Sequence, residues 1–108
     1  MRELCLVPCK IERGAFTQER TFHISLSDDI VFEGEHEGEL IGTAHLDYLR
    51  NAENRSLGED DPPYGEVIDG YVTGRKIRQL GDRVLVEVPS ADVIHVSPDS
   101  LISADRGD

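Results

Sequence analysis

Between Gly70 and Val96 the chain reads Gly-Tyr-Val-Thr-Gly74, then Leu80-Gly-Asp-Arg-Val-Leu-Val-Glu-Val-Pro89, then Val93-Ile-His-Val96. Branched apolar residues alternate with polar ones and are punctuated by glycine, aspartate and proline, the pattern of short strands joined by tight turns. Val84, Val86 and Val88 share one face of a strand, with turns at Gly81-Asp82 and Pro89-Ser-Ala-Asp92 on either side. His95 faces away from Ile94 and Val96. Upstream, the pattern predicts one strand over 66–73, with Val67 and Tyr71 on one face and Ile68 and Val72 on the other, and a separate half-exposed strand over 75–80.

The first half follows the same logic. Leu4-Cys-Leu-Val7 opens a strand in which Pro8 marks an edge or a bulge, because proline has no N–H for a ladder, and Arg13-Gly14 ends it. Thr21 to Leu26 alternates cleanly, placing Phe22, Ile24 and Leu26 on one face and Thr21, His23 and Ser25 on the other. Ser27-Asp28-Asp29 turns the chain into a third strand at Ile30-Val31-Phe32. If Glu33-Gly-Glu-His-Glu-Gly-Glu39 were fully extended, its four glutamates would project from one face at about 7 Å spacing and repel one another. A turn over His36–Gly38 relieves this, with Gly38 at positive φ.

Ala44, Tyr48, Leu49 and Ala52 have helical spacing, and Thr43 is a candidate N-cap, so the stretch 43–55 is predicted to be a short helix. Leu57 to Gly65 is the longest loop. Ser97-Pro98 predicts one short helical or 3₁₀ turn near the end, beyond which the last residues should fray. The sum is a mainly β protein: a single domain over 1–108, built as a small antiparallel barrel or strongly bent sheet in the style of SH3-like or OB-like folds. At 108 residues the chain is long enough for one core and too short for two of ordinary size.

The net charge is −11, from 22 acidic and 11 basic side chains, so a polyanion is repelled overall. Asp28 to Glu39 holds six carboxylates and no lysine or arginine, and Glu59-Asp60-Asp61 forms a second acidic knot; both read as solvated loops. No apolar run approaches the roughly eighteen residues of a membrane span, and the first nine residues lack a secretory h-region, so a cytoplasmic protein without membrane contact is expected. On one extended strand Cys5 and Cys9 lie about 13 Å apart, too far for a disulfide. Two reduced, buried thiols are the expectation.

Catalytic constellations are absent from the sequence. A cysteine nucleophile, Cys5 or Cys9 with His23, would lack the positive surroundings that lower a thiol pKa. Zinc held by Cys5, Cys9, His23 and His45 would need closely paired ligands from tight turns, and C-x₃-C on a strand is a poor source of them. Glu35, His36 and Glu37 could form a cation loop but lack the wider spaced ligand set of calcium sites. No catalytic residue, cofactor or metal is expected. The one basic cluster, Arg75, Lys76, Arg78 and Arg83, has Tyr71 and Tyr64 as nearby stacking surfaces but is matched by Glu66, Asp69, Asp82 and Glu87. The expectation is a noncatalytic protein-interaction module that meets an unidentified protein partner through a sheet edge or the acidic loops, with Arg75, Lys76, Arg78, Arg83, Tyr71, Glu35, His36 and Glu37 as the candidate interaction surface. The alternative is a nucleic-acid-binding module that uses the Arg75–Arg83 hairpin.

Overall fold

The computed structural model of the chain describes residues 3–103. Its strands are β1 (Leu4–Arg13), β2 (Glu19–Ser25), β3 (Ile30–Val31), β4 (Glu39–His45), β5 (Leu49–Asn51), β6 (Ile68–Leu80), β7 (Arg83–Glu87), β8 (Val93–Val96) and β9 (Ile102–Ser103). They form one antiparallel sheet in the order β3-β8-β7-β6-β1-β2-β4, with β5 paired to β6 and β9 to β1. The sheet curls into a half-barrel. No long helix occurs among the described residues.

The spine is the ladder between β1 and β6, which runs without interruption from Leu4↔Arg75 to Ile11↔Ile68. On its concave face β1 contributes Cys5, Val7, Cys9 and Ile11, and β6 contributes Gly70, Val72 and Gly74. These two glycines are strand residues chosen by space. A methyl group at Gly70 would lie 2.3 Å from the Arg50 carbonyl oxygen and 2.6 Å from Ile11 Cδ1; one at Gly74 would lie 2.5 Å from Val86 Cγ1. β6 therefore passes straight through Gly74, where the sequence pattern predicted two separate strands. Its irregularity comes later, as a register shift between Lys76 and Arg78 that makes Ile77 the extra residue.

Pro8 stays within β1, opposite Tyr71. The other edge of β1 is shared between β9, at Cys5 and Leu6, and β2, from Lys10 to Arg13. Neither of those ladders includes residues 7–9, so the missing N–H of Pro8 falls where that edge has no neighbour to bond.

β2 carries the predicted alternation: Phe22 and Ile24 are fully buried, and Leu26 packs against the core. Its partner β4 occupies residues predicted to start a helix. Thr43 and Ala44 pair with Thr21 and Arg20, and only Leu46–Tyr48 makes a 3₁₀ turn before β5. His45 caps that turn, its Nδ1 accepting from Asp47 N, in place of Thr43. Ala44, Leu46 and Leu49 are buried whereas Tyr48 is half exposed, so the apolar residues serve the ladder and the turn, not a helical face. The acidic hairpin turns at Glu33-Gly34, both at positive φ, with Phe32 and Glu35 exchanging backbone bonds, and not over His36–Gly38 as predicted; Gly38 does adopt φ 89°. The 3₁₀ turn at Pro98–Ser100 matches expectation, and the frayed end predicted beyond it lies outside the described residues.

Arg20 is the only charged residue in the buried set of the described residues and is completely enclosed. Its guanidinium donates from Nε to the Asp61 carbonyl at 2.7 Å, from Nη1 to those of Thr17 and Glu19 at 2.8 Å, and from Nη2 to that of Glu59 at 2.8 Å. One side chain thus holds the 57–66 loop to the β1–β2 turn. Burial, together with the cation of Arg13, lowers its pKa, which the neighbouring Tyr64, Asp61 and Glu59 partly offset; a guanidinium remains charged regardless. Arg13 adds a bond from Nε to the Pro62 carbonyl at 2.8 Å and lies 4.5 Å from the ring centroid of Tyr64.

Two stability measurements follow. Gly70→Ala should cost about 2 kcal/mol in urea denaturation, because backbone and a packed isoleucine would both have to move. Arg20→Met should cost about 3 kcal/mol and make 58–65 a preferred site of limited proteolysis; Arg20→Lys should recover little, since an ammonium lacks the planar fork that reaches four carbonyls.

Candidate functional site

The basic hairpin does not present a strip of free cations. Arg75 pairs with Glu87, Lys76 Nζ lies 3.2 Å from Glu3 Oε2, and Arg83 Nη2 donates to the Asp28 carbonyl. Arg78, paired with Leu85 through its backbone, is alone of the four in having no side-chain ion pair or hydrogen bond among the described residues. Tyr71 sits on the convex face between Pro8 and Arg50, half-buried. Glu35, His36 and Glu37 are exposed in the segment joining β3 to β4, where His36 Nδ1 is 3.4 Å from Asp28 Oδ1. His36 and Arg83 of the basic hairpin both reach Asp28, one its carboxylate and the other its carbonyl, and no three His, Cys, Asp or Glu residues converge as a metal cluster among the described residues.

Cys5 and Cys9 are free thiols buried in the concave face. His23 lies on the opposite, convex face, since its register partner is Lys10 rather than Cys9. A thiol–imidazole pair and a shared zinc site are both ruled out by the two sides of the sheet. The His23 ring instead bridges three strands: Nε2 is 2.5 Å from Glu12 Oε2 on β1, and Nδ1 is 3.3 Å from Glu39 Oε1 on β4. Burial pushes the Cys5 thiol up to about 11 and the Cys9 thiol up to about 12. Both should react with a disulfide reagent at pH 8 far more slowly in the native protein than in urea; rapid stoichiometric modification would contradict the burial. Because both folded values lie above the ordinary 9.0, their contribution to stability is complete below about pH 9 and is lost as pH rises towards 12.

A concavity lies on the convex side of the spine. β6 is flanked on one edge by β5 over Gly70–Val72 and then by β7 from Arg75 onward, so neither ladder reaches Thr73 or Gly74. Over this gap opens a groove of about 480 Å³. Its apolar walls are Leu4, Tyr48, Val88, Pro89 and Ala91, and its polar groups are Asp47, Arg50, Thr73, Arg75 and Glu87. Arg75 and Glu87 neutralise each other. Among the described residues the Arg50 side chain donates only from Nη1, to the backbone and side-chain oxygens of Asn54 at 3.3 and 3.4 Å, leaving its other side-chain donors free there.

Of the residues expected to act, only Arg75 lines this groove. The sequence pattern predicts a helix over Tyr48 and Arg50 and gives Leu4 and Pro89 ordinary strand and turn positions. Nothing in sequence spacing links positions 4, 48, 73 and 89, which meet only because β5 and β7 share one edge of β6. Comparison with protein-family models, with curated proteins and with solved structures finds no match to the chain. Among the described residues no helix is long and apolar enough to cross a membrane.

Proposed function

We propose that this chain is a noncatalytic protein-interaction module whose partner presents an apolar anchor side chain to the groove over Thr73, followed by a carboxylate or carbonyl that accepts from Arg50. The observation that carries the reading is the interrupted edge of β6, which leaves a concave, apolar-walled opening beside a guanidinium with unused donors. A volume of about 480 Å³ leaves ample room for a large apolar side chain, and buried anchors of this kind dominate the energy of protein interfaces. The gap is two residues long, so an added strand does not fit there; the recognised segment inserts a side chain.

Direct nucleic-acid binding by the Arg75–Arg83 hairpin draws less support. Three of its four cations already have partners, and the chain's net charge of −11 opposes a polyanion.

The test is selection of peptides from a displayed random library against the immobilised protein, followed by affinity measurement on variants. Thr73→Arg, which fills the groove, and Arg50→Ala should each weaken the selected peptides at least about tenfold, whereas Arg78→Glu should leave them unchanged. Peptides that bind Thr73→Arg as well as the parent chain would overturn the proposal.

A further inference from the structure

β4 is the long open edge of this sheet. β3, at the other end, has two residues, whereas β4 has seven, Glu39–His45, and contains none of the proline, lysine or bulge devices that protect edges. Its ladder with β2 runs from Glu19↔His45 to Ser25↔Glu39, and is continued at its ends by Leu46 N donating to Gln18 O and Leu26 N donating to Gly38 O. Bonding positions in an antiparallel ladder recur every second residue. Leu40, Gly42 and Ala44 therefore exchange bonds with β2, while the N–H and C=O groups of Glu39, Ile41, Thr43 and His45 point away from it. Those four residues are exposed, Ile41 by 56% despite its apolar side chain.

We infer that a second copy of this chain docks on this edge, β4 against β4, antiparallel about a twofold axis through Gly42. The segment is complementary to itself in that arrangement. Glu39 faces His45 of the partner subunit, Ile41 faces Thr43 of the partner subunit, and the two glycines meet on the axis, each with the Phe22 and Ser90 side chains of its own chain packed on its inner side. All four residues with outward backbone groups then fall at hydrogen-bonded positions. Sliding the register by two residues in one direction sets Glu39 against a second acid, Asp47 of the partner subunit; in the other it sets Glu39 against a threonine. The Glu39–His45 match is a hydrogen bond and does not need a protonated imidazole. His45 Nδ1 accepts from Asp47 N at 3.0 Å, so the neutral ring carries its proton on Nε2 and has it free to donate to the facing carboxylate. Against the contact stands the repulsion of two chains of net charge −11, which salt screens. Self-association should accordingly strengthen as salt is raised.

Sedimentation equilibrium of the full chain, from micromolar to millimolar and at physiological and raised salt, tests this. A reversible monomer–dimer equilibrium is expected, with at least about tenfold weaker dimerisation in Thr43→Pro. That proline removes an N–H directed outward, so the ladder to β2 and the circular dichroism spectrum should survive. If Thr43→Pro fails to fold, Ile41→Lys, which places a charge at the centre of the contact, decides the point with the same expected loss. A monomer at every concentration, or a dimer that is indifferent to the edge substitutions, overturns the inference, as does a monomer that takes a strand from another protein at this edge. Thr73→Arg should leave the dimer intact, and Ile41→Lys should leave groove-selected peptides bound, so this inference and the groove proposal fail separately.

Discussion

The close antiparallel contact of β1 with β6 organises everything else in the molecule. Eight consecutive register pairs join the first strand to a strand more than sixty residues later, and the backbones and side chains around them are packed tightly enough that Gly70 and Gly74 have no room for a methyl group. Because β6 is thirteen residues long, it outruns any one neighbour. β5 and β7 divide one of its edges between them, as β9 and β2 divide the corresponding edge of β1. The curl of the sheet, the gap at Pro8 and the groove over Thr73 all follow from two long central strands served by short partners.

A second constraint is polar. Arg20 lies inside the protein without an ion pair among the described residues, yet its donors reach four backbone carbonyls from two segments. A buried charge is tolerated only when its hydrogen bonds are met, and here the requirement works in the other direction as well: the carbonyls of Glu59 and Asp61 find a donor in a loop with little regular structure. The acidic knot of that loop is therefore held through its backbone, and also by Gln18 Nε2 donating to Glu59 Oε2 at 2.7 Å and Gly58 N donating to Asp61 Oδ2 at 3.3 Å, while its side chains lie at the surface. A net charge of −11 becomes compatible with a compact chain because, among the described residues, no acid is buried and the one enclosed cation bonds to the neutral main chain.

The two surfaces proposed for binding arise from the same architecture by different routes. The groove is a consequence of interruption within the sheet, where β5 ends before β7 begins. The β4 edge is a consequence of where the sheet stops. One presents a pocket for a side chain, and the other presents backbone groups for a strand. Neither uses the Arg75–Arg83 hairpin as a charged strip, since the ladder partners of that hairpin bring Glu87 and Glu3 to its cations.

Period-two patterning by itself determined the β class, the concave faces of β2, β7 and β8, and the turns at Gly81-Asp82 and Pro89–Asp92, because burial of one sheet face imposes alternation directly on the sequence. It also determined that Cys5 and Cys9 share a buried face. What it left undecided depended on neighbours distant in sequence. Ala44, Tyr48, Leu49 and Ala52 match a helical spacing as readily as a strand followed by a 3₁₀ turn, and pairing with β2 chose the latter. Gly74 reads as a turn until Val86 is seen to fill the space a side chain would need. Arg20 looks like any surface arginine until the 57–66 loop closes over it. The groove joins positions 4, 48, 73 and 89, and the open edge of β4 exists only because no later strand returns to cover it. Local periodicity reports which side of a strand is dry, whereas strand order and edge sharing are set by long-range packing that no window of the sequence contains.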